Sequence, residues 1–258
     1  MNNIKIAFFD IDGTLIDIET KIMTETMIET LQRLKSNGIK ICIATGRTSV
    51  TLPKFEGIEF DAYLTFNGSY CFNKNETIHS NPFSTSDVNL IIDNAKAINR
   101  PVSIASTKRL AANGVDEDLK DYYAIAKLKL EISDDFEEVA KEDVYQIMMG
   151  ARENEYSHIL EGTSNVKISA WWDRAVDVIP ANSGKGAGIR KILEYYHLSK
   201  EDAIAFGDGN NDIEMFENVG TKVAMGNASD KLKAIADTIC GAVSEDGIYH
   251  YCVEHQLI

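Results

Sequence analysis

Ile4-Lys5-Ile6-Ala7-Phe8-Phe9-Asp10-Ile11-Asp12-Gly13-Thr14-Leu15 is the stretch that decides the fold. Residues 4–9 form a short, mostly apolar run stopped by a carboxylate, the pattern of a strand buried on both faces. Asp10 and Asp12 stand at its carboxyl end, and Gly13 lets the backbone bend tightly behind them. Ligands of open α/β sheets bind at the carboxyl ends of the strands. A polar loop closing a strand would also place acids there. Two neighbouring carboxylates, however, repel each other unless a cation or a shared proton offsets the repulsion.

Outward from this strand, residues 24–37 predict a helix, with Met27, Ile28, Leu31 and Leu34 on one side and Gly38 as its stop. Residues 39–44 and 62–66 read as a second and a third buried strand. Apolar runs that do not alternate, separated by a helix, indicate a parallel sheet covered by helices. The same pattern resumes after Pro180. A helix is expected over 184–196, a strand over 203–206, a helix over 212–217, a strand over 222–225 and a helix over 230–236. Between Pro82 and Pro180 the character changes. Residues 116–155 hold thirteen Asp or Glu against five Lys or Arg. Helices near 84–100 and 115–126 alternate with strand candidates at 102–107, 144–149 and 166–170. The expectation is an α/β core formed by residues 1–81 and 181–258, with an α+β domain, 82–180, inserted in it.

A second acid-rich turn, Gly207-Asp208-Gly209-Asn210-Asn211-Asp212, follows the 203–206 run, and parallel strands would set it beside Asp10. Several hard oxygen ligands at one rim, without Cys or His, favour Mg²⁺ over Zn²⁺. Ala44-Thr45-Gly46-Arg47 ends the second strand with a hydroxyl, a glycine and a guanidinium that suit an oxyanion. Lys185, in Asn182-Ser183-Gly184-Lys185-Gly186, sits where a helix begins and could neutralise a phosphoryl group. The P-loop spacing is absent.

The 258 residues carry 26 Lys and Arg against 40 Asp and Glu, a net charge of -14. That argues against nucleic acid or an anionic membrane as the main partner, since both need a positive field. Cys42, Cys71, Cys240 and Cys252 are too few and too scattered for a disulfide framework. No apolar run approaches the roughly eighteen residues of a membrane span, and the opening is no signal peptide. A cytoplasmic protein, monomeric or weakly dimeric, is expected.

In order and spacing these segments resemble the haloacid dehalogenase-like hydrolases. Asp10-Ile11-Asp12-Gly13-Thr14 is similar to their DxDGT motif, Thr45 to the second motif, Lys185 to the third, and Gly207–Asp212 to GDGxND. With Val223-Ala224-Met225-Gly226-Asn227-Ala228, the pattern resembles the Cof-type branch, whose larger α/β cap (type IIB) lies between the second and third motifs. The resemblance implies a three-layer Rossmann-like core with a parallel sheet and an inserted α+β cap. It implies a Mg²⁺-dependent phosphomonoester hydrolase of small phosphorylated metabolites, sugar phosphates foremost. Asp10 would be the nucleophile that forms an aspartyl-phosphate, and Asp12 would act as acid and then base. Asp10, the Asp12 carbonyl and Asp208 would hold Mg²⁺, with Asp212 supporting directly or through water. Thr45, Lys185 and Asn211 would hold phosphoryl oxygens, with Gly46, Arg47 and Asn67-Gly68 near the pocket mouth.

Two other readings stand beside this one. A phosphotransferase or phosphomutase would use the same intermediate and return the phosphoryl group to a sugar. A non-catalytic metabolite-sensing module would keep the fold, but it would not need Asp12. An ion-pumping ATPase shares the GDGxND turn but has Lys in place of Asp12, and membrane helices. Trp171 and Trp172 are expected to point to opposite sides of a strand, as packing or as a substrate face. Asp173 and Arg174 are expected in a solvated turn. His250, Cys252 and His255 suggest a soft-metal site less than a C-terminal segment packing as an edge.

Overall fold

The computed structural model describes residues 4–125, 128–170 and 172–258. Trp171, Met1 and Ala126, the last at the end of the helix expected over 115–126, lie outside these residues. In chain order the first strands are Ile6–Phe9 (β1), Lys40–Ala44 (β2), Ala62–Thr65 (β3), Tyr70–Phe72 (β4) and Thr77–Ser80 (β5). Helix Glu25–Ser36 (α1) joins β1 to β2. The middle of the chain contains helices Thr85–Ala97 (α2), Glu117–Ile125 (α3), Phe136–Val139 (α4) and Tyr156–Ile159 (α5). Its strands are Val102–Ala105 (β6), Leu110–Ala112 (β7), Gln146–Gly150 (β8), Val166–Ala170 (β9) and Ala175–Pro180 (β10). The last part alternates Lys185–Tyr195 (α6), Ala203–Gly207 (β11), Ile213–Phe216 (α7), Thr221–Ala224 (β12), Asp230–Lys233 (α8), Thr238–Ile239 (β13) and Gly247–Glu254 (α9).

The first sheet has the order β13-β12-β11-β1-β2-β3-β4-β5. It is parallel from β13 to β3, and β4 then runs antiparallel. Every residue of β1 and of β11 is buried, so both faces of the sheet are covered, as an all-apolar strand requires. α1 packs on β2 and α6 on β3 and β4. α1 begins where expected because the Thr24 hydroxyl accepts the Met27 N–H. The chain turns out of it at Gly38, with φ +82°.

The second sheet, β7-β6-β8-β10-β9, is antiparallel throughout. Alternate residues of its strands, such as Val102, Ile104, Ile147, Met149, Val176 and Val178, form one apolar cluster with Val88 and Ile91 of α2. Backbone contacts divide the chain into two units. One ends its first stretch at Gly46 and continues with Pro53–His79 and Lys185–Ile258; the other holds Arg47–Leu52 and Ser80–Gly184. Arg47–Leu52 joins the second unit, where the Ser49 hydroxyl donates to the Thr107 carbonyl at 3.1 Å.

The C-terminal segment corrects the expectation of an edge. It is helix α9, with Ile248, Tyr251 and Cys252 buried at helical spacing and packed toward α1. β10 runs to Pro180, a residue read as a boundary; proline at the end of a strand deprives no inner pair of a hydrogen bond. Among the described residues no helix is long and apolar enough to cross a membrane.

Candidate active site

β1 pairs with β11 in parallel, Phe9 opposite Phe206, and their rings stack with centroids 5.2 Å apart. The Asp10 N–H donates to the Phe206 carbonyl at 3.1 Å. The two acid-rich turns therefore leave the sheet side by side. One carboxylate oxygen each from Asp10, Asp208 and Asp212 lies within 4.8 Å of the others. Gly13 permits this approach: its φ is +85°, and a Cβ there would sit inside the Asp208 carboxylate. The Thr14 hydroxyl donates to Asp208 Oδ1 at 3.2 Å, and Asn227 Nδ2 donates to the Gly13 carbonyl at 2.8 Å.

Lys185, the first residue of α6, is fully buried and donates to Asp10 Oδ1 at 2.6 Å and to Asp212 Oδ1 at 2.5 Å. Burial alone would lower its pKa, but the two carboxylates raise it above the ordinary lysine value. The other Asp212 oxygen accepts the N–H groups of Asp208 and Gly209, both at 2.9 Å. Asp212 is thus committed to the lysine and to the shape of its turn. Burial pushes Asp10 up to about 7 against the pull of Lys185. Burial, and then the neighbouring Asp10, push Asp208 up to about 8. One ammonium does not compensate three clustered acids, and an all-oxygen donor set of this charge fits a hard divalent cation.

Thr45 stands at the end of β2, next to β1. Its N–H donates to the Leu64 carbonyl at 2.9 Å, and its carbonyl accepts the Asn67 N–H at 3.2 Å. The Asn67 side chain lies against Gly46, and Phe66, Asn67 and Gly68 all have positive φ. Asp12 is partly exposed, with Oδ1 3.4 Å from Lys21 Nζ. Asn211 is half-buried in the turn Asn210–Asp212. Arg47 belongs to the other unit, and its guanidinium donates to the Thr51 carbonyl at 3.1 Å.

Lys21 escaped the sequence reading, because nothing in the segment between β1 and α1 announces which side chain turns inward. Asn227 and Thr14 lay within quoted motifs, but their hydrogen bonds span 214 and 194 positions. Trp172 lies beyond β9 with the Arg174 guanidinium 4.2 Å above its ring. Arg174 also pairs with Asp121 at 3.3 Å. His255 stacks on Tyr251 at 4.1 Å and Cys252 is buried. Among the described residues the group able to hold a metal is Asp10, Asp208 and Asp212.

The family model of the haloacid dehalogenase-like hydrolases matches residues 7–252. YkrA of Bacillus subtilis is 31% identical over 257 residues, covering 98% of this chain and 98% of that protein. A 5-amino-6-(5-phospho-D-ribitylamino)uracil phosphatase of the same organism, YitU, is 28% identical over 95% of each chain. A solved HAD subclass IIB sugar phosphatase superposes with a TM-score of 0.89 at 29% identity, over 98% of this chain and 100% of that one.

Proposed function

The chain belongs to the haloacid dehalogenase-like hydrolases and is a phosphatase of that family, and from that premise we propose that it hydrolyses small phosphomonoesters, sugar phosphates foremost, with Mg²⁺ and through an aspartyl-phosphate. The observation that carries this reading is the buried Asp10 carboxylate, 2.6 Å from the Lys185 ammonium and within 4.8 Å of Asp208 and Asp212. Asp10, the Asp12 carbonyl and Asp208 would hold the cation, supported by Asp212. When bound, it supplies positive charge that lets one anion approach another.

In this mechanism Asp10 attacks phosphorus and takes the phosphoryl group. Lys185, Thr45 and Asn211 hold its oxygens. Asp12 gives a proton to the leaving oxygen and then draws one from the water that releases phosphate. Lys185 also favours the ionised form of Asp10, against its burial. We assign the catalytic groups to residues 1–81 and 181–258, and the choice of leaving group to the inserted residues 82–180. The sugar preference is supported by the polyol and sugar substrates in the names of two relatives. Free thiols at all four cysteines accord with a cytoplasmic enzyme.

Phosphate release over a panel of sugar, pyridoxal, flavin and nucleotide phosphates, a phosphopeptide and a phosphorylated oligonucleotide, with Mg²⁺ and with EDTA, tests the proposal. Hydrolysis of sugar phosphates that stops in EDTA and returns with Mg²⁺ is expected. Undiminished turnover in metal-free protein, or a preference of more than about tenfold for a phosphopeptide or nucleic-acid end, would overturn it. Transfer of phosphate to an added sugar in place of release would identify a phosphotransferase.

A further inference from the structure

The loop after Asp12 turns the wrong residue inward for a merely structural turn. Ile18 and Ile22 are 51% and 64% exposed, while the Lys21 side chain between them is only 13% exposed. Hydrophobic packing would choose the opposite arrangement. Lys21 also has φ +58°, a left-handed conformation uncommon for an L residue with a long side chain.

Asp17 Oδ1 accepts the N–H groups of Glu19 and Thr20, both at 2.9 Å. The Lys21 N–H donates to the Asp17 carbonyl at 2.8 Å. Leu15 and Ile16, both buried, donate their N–H groups to the Ile11 carbonyl and anchor the start of the loop beside Asp12. This construction brings Lys21 Nζ to 3.4 Å from Asp12 Oδ1.

We propose that Lys21 is a positioning residue for Asp12, holding one oxygen of its carboxyl group so that the proton is carried on the other. The inference rests on the acid and base role proposed for Asp12. As the phosphorus–oxygen ester bond breaks, its electron pair goes to the leaving oxygen, which takes the proton from Asp12 Oδ2. In the second half, water oxygen bonds to phosphorus and gives a proton to Asp12. The Asp10–phosphorus bond then breaks, and its electron pair returns to the Asp10 carboxylate. Lys21 touches no reacting atom. It fixes the angle at which Oδ2 meets the leaving oxygen and the water.

The test compares kcat/KM, which reports the ester-cleaving half, for a sugar phosphate and for p-nitrophenyl phosphate, whose leaving group needs little protonation. Lys21→Met is expected to lose about tenfold or more on the sugar phosphate and much less on the nitrophenyl ester. Lys21→Arg should recover most of the difference. Lys21→Asn, at home in the left-handed region, should behave like Lys21→Met. Equal losses on both substrates, or a Lys21→Asn protein that matches wild type, would overturn the proposal. Asp12→Asn is measured alongside: if it shows no leaving-group dependence, the role of Asp12 itself has failed, independently of Lys21.

Discussion

Lys185→Met removes the cation from between Asp10 and Asp212 and leaves a side chain of similar length. The Lys185 side chain is 0% exposed, as is that of Asp212, so water cannot replace the lost charge. Removing one partner of a buried ion pair costs roughly 3–5 kcal/mol, because the other charge stays buried and unpaired. For a chain of this length that lowers Tm by roughly 6–20 °C. Thermal unfolding followed by circular dichroism at about pH 8, in EDTA, reads the loss. Adding Asp212→Asn removes one orphaned charge and keeps an acceptor for the Asp208 and Gly209 N–H groups. The double variant is therefore expected to recover at least about half of the shift, since neighbours in one network couple. A Lys185→Met protein that melts within about 2 °C of wild type, less than 1 kcal/mol, would refute the reasoning.

In metal-free protein the raised Asp10 and Asp208, about 7 and about 8 against 3.8, bind more protons folded than unfolded. Stability from this pair is therefore lost as pH rises from about 4 to about 8. Melting curves should show Asp208→Asn flattening that slope and Mg²⁺ raising Tm most at its upper end; a wild-type slope in Asp208→Asn would count against the pair. Asp10→Asn should yield no acid-stable trapped acyl-phosphate, whereas Asp12→Asn should still accumulate it with p-nitrophenyl phosphate; equal trapping in Asp10→Asn and wild type would contradict the assignment. Gly13→Ala sets a Cβ against Asp208 and adds roughly 1–2 kcal/mol of left-handed strain, so it should weaken Mg²⁺ activation as well as stability; calorimetric Mg²⁺ binding equal to wild type would argue otherwise.

Much of this site was legible in the chain because it is written at strand ends. An apolar run followed at once by acids, twice, places carboxylates at the rim of a parallel sheet wherever the two strands fall in line. The strands 102–105 and 166–170 and the helices α1, α2, α3, α6, α7 and α8 were readable by apolar runs and spacing, whereas the four-residue α4 and α5 were not. β4, β7 and β13 were not, since strands of two or three residues carry no period, and β5 and the six-residue β10 were missed as well. α9 was read as an edge segment because its buried set, Ile248, Tyr251 and Cys252, spans little more than one helical turn.

The sequence by itself determined the identity and local order of the acids, the sheet class and the phosphatase family, since these depend on patterns within a few neighbouring residues. Only the tertiary structure decided how the charges are shared. That Lys185 spans Asp10 and Asp212, that Asp212 is consumed by two backbone N–H groups, and that Lys21 lies inward against Asp12 all depend on distances across the fold. The physical reason is that burial and Coulomb interaction are set by proximity in space. Residues 10, 185 and 212 acquire their electrostatics only when β1, α6 and the turn after β11 meet.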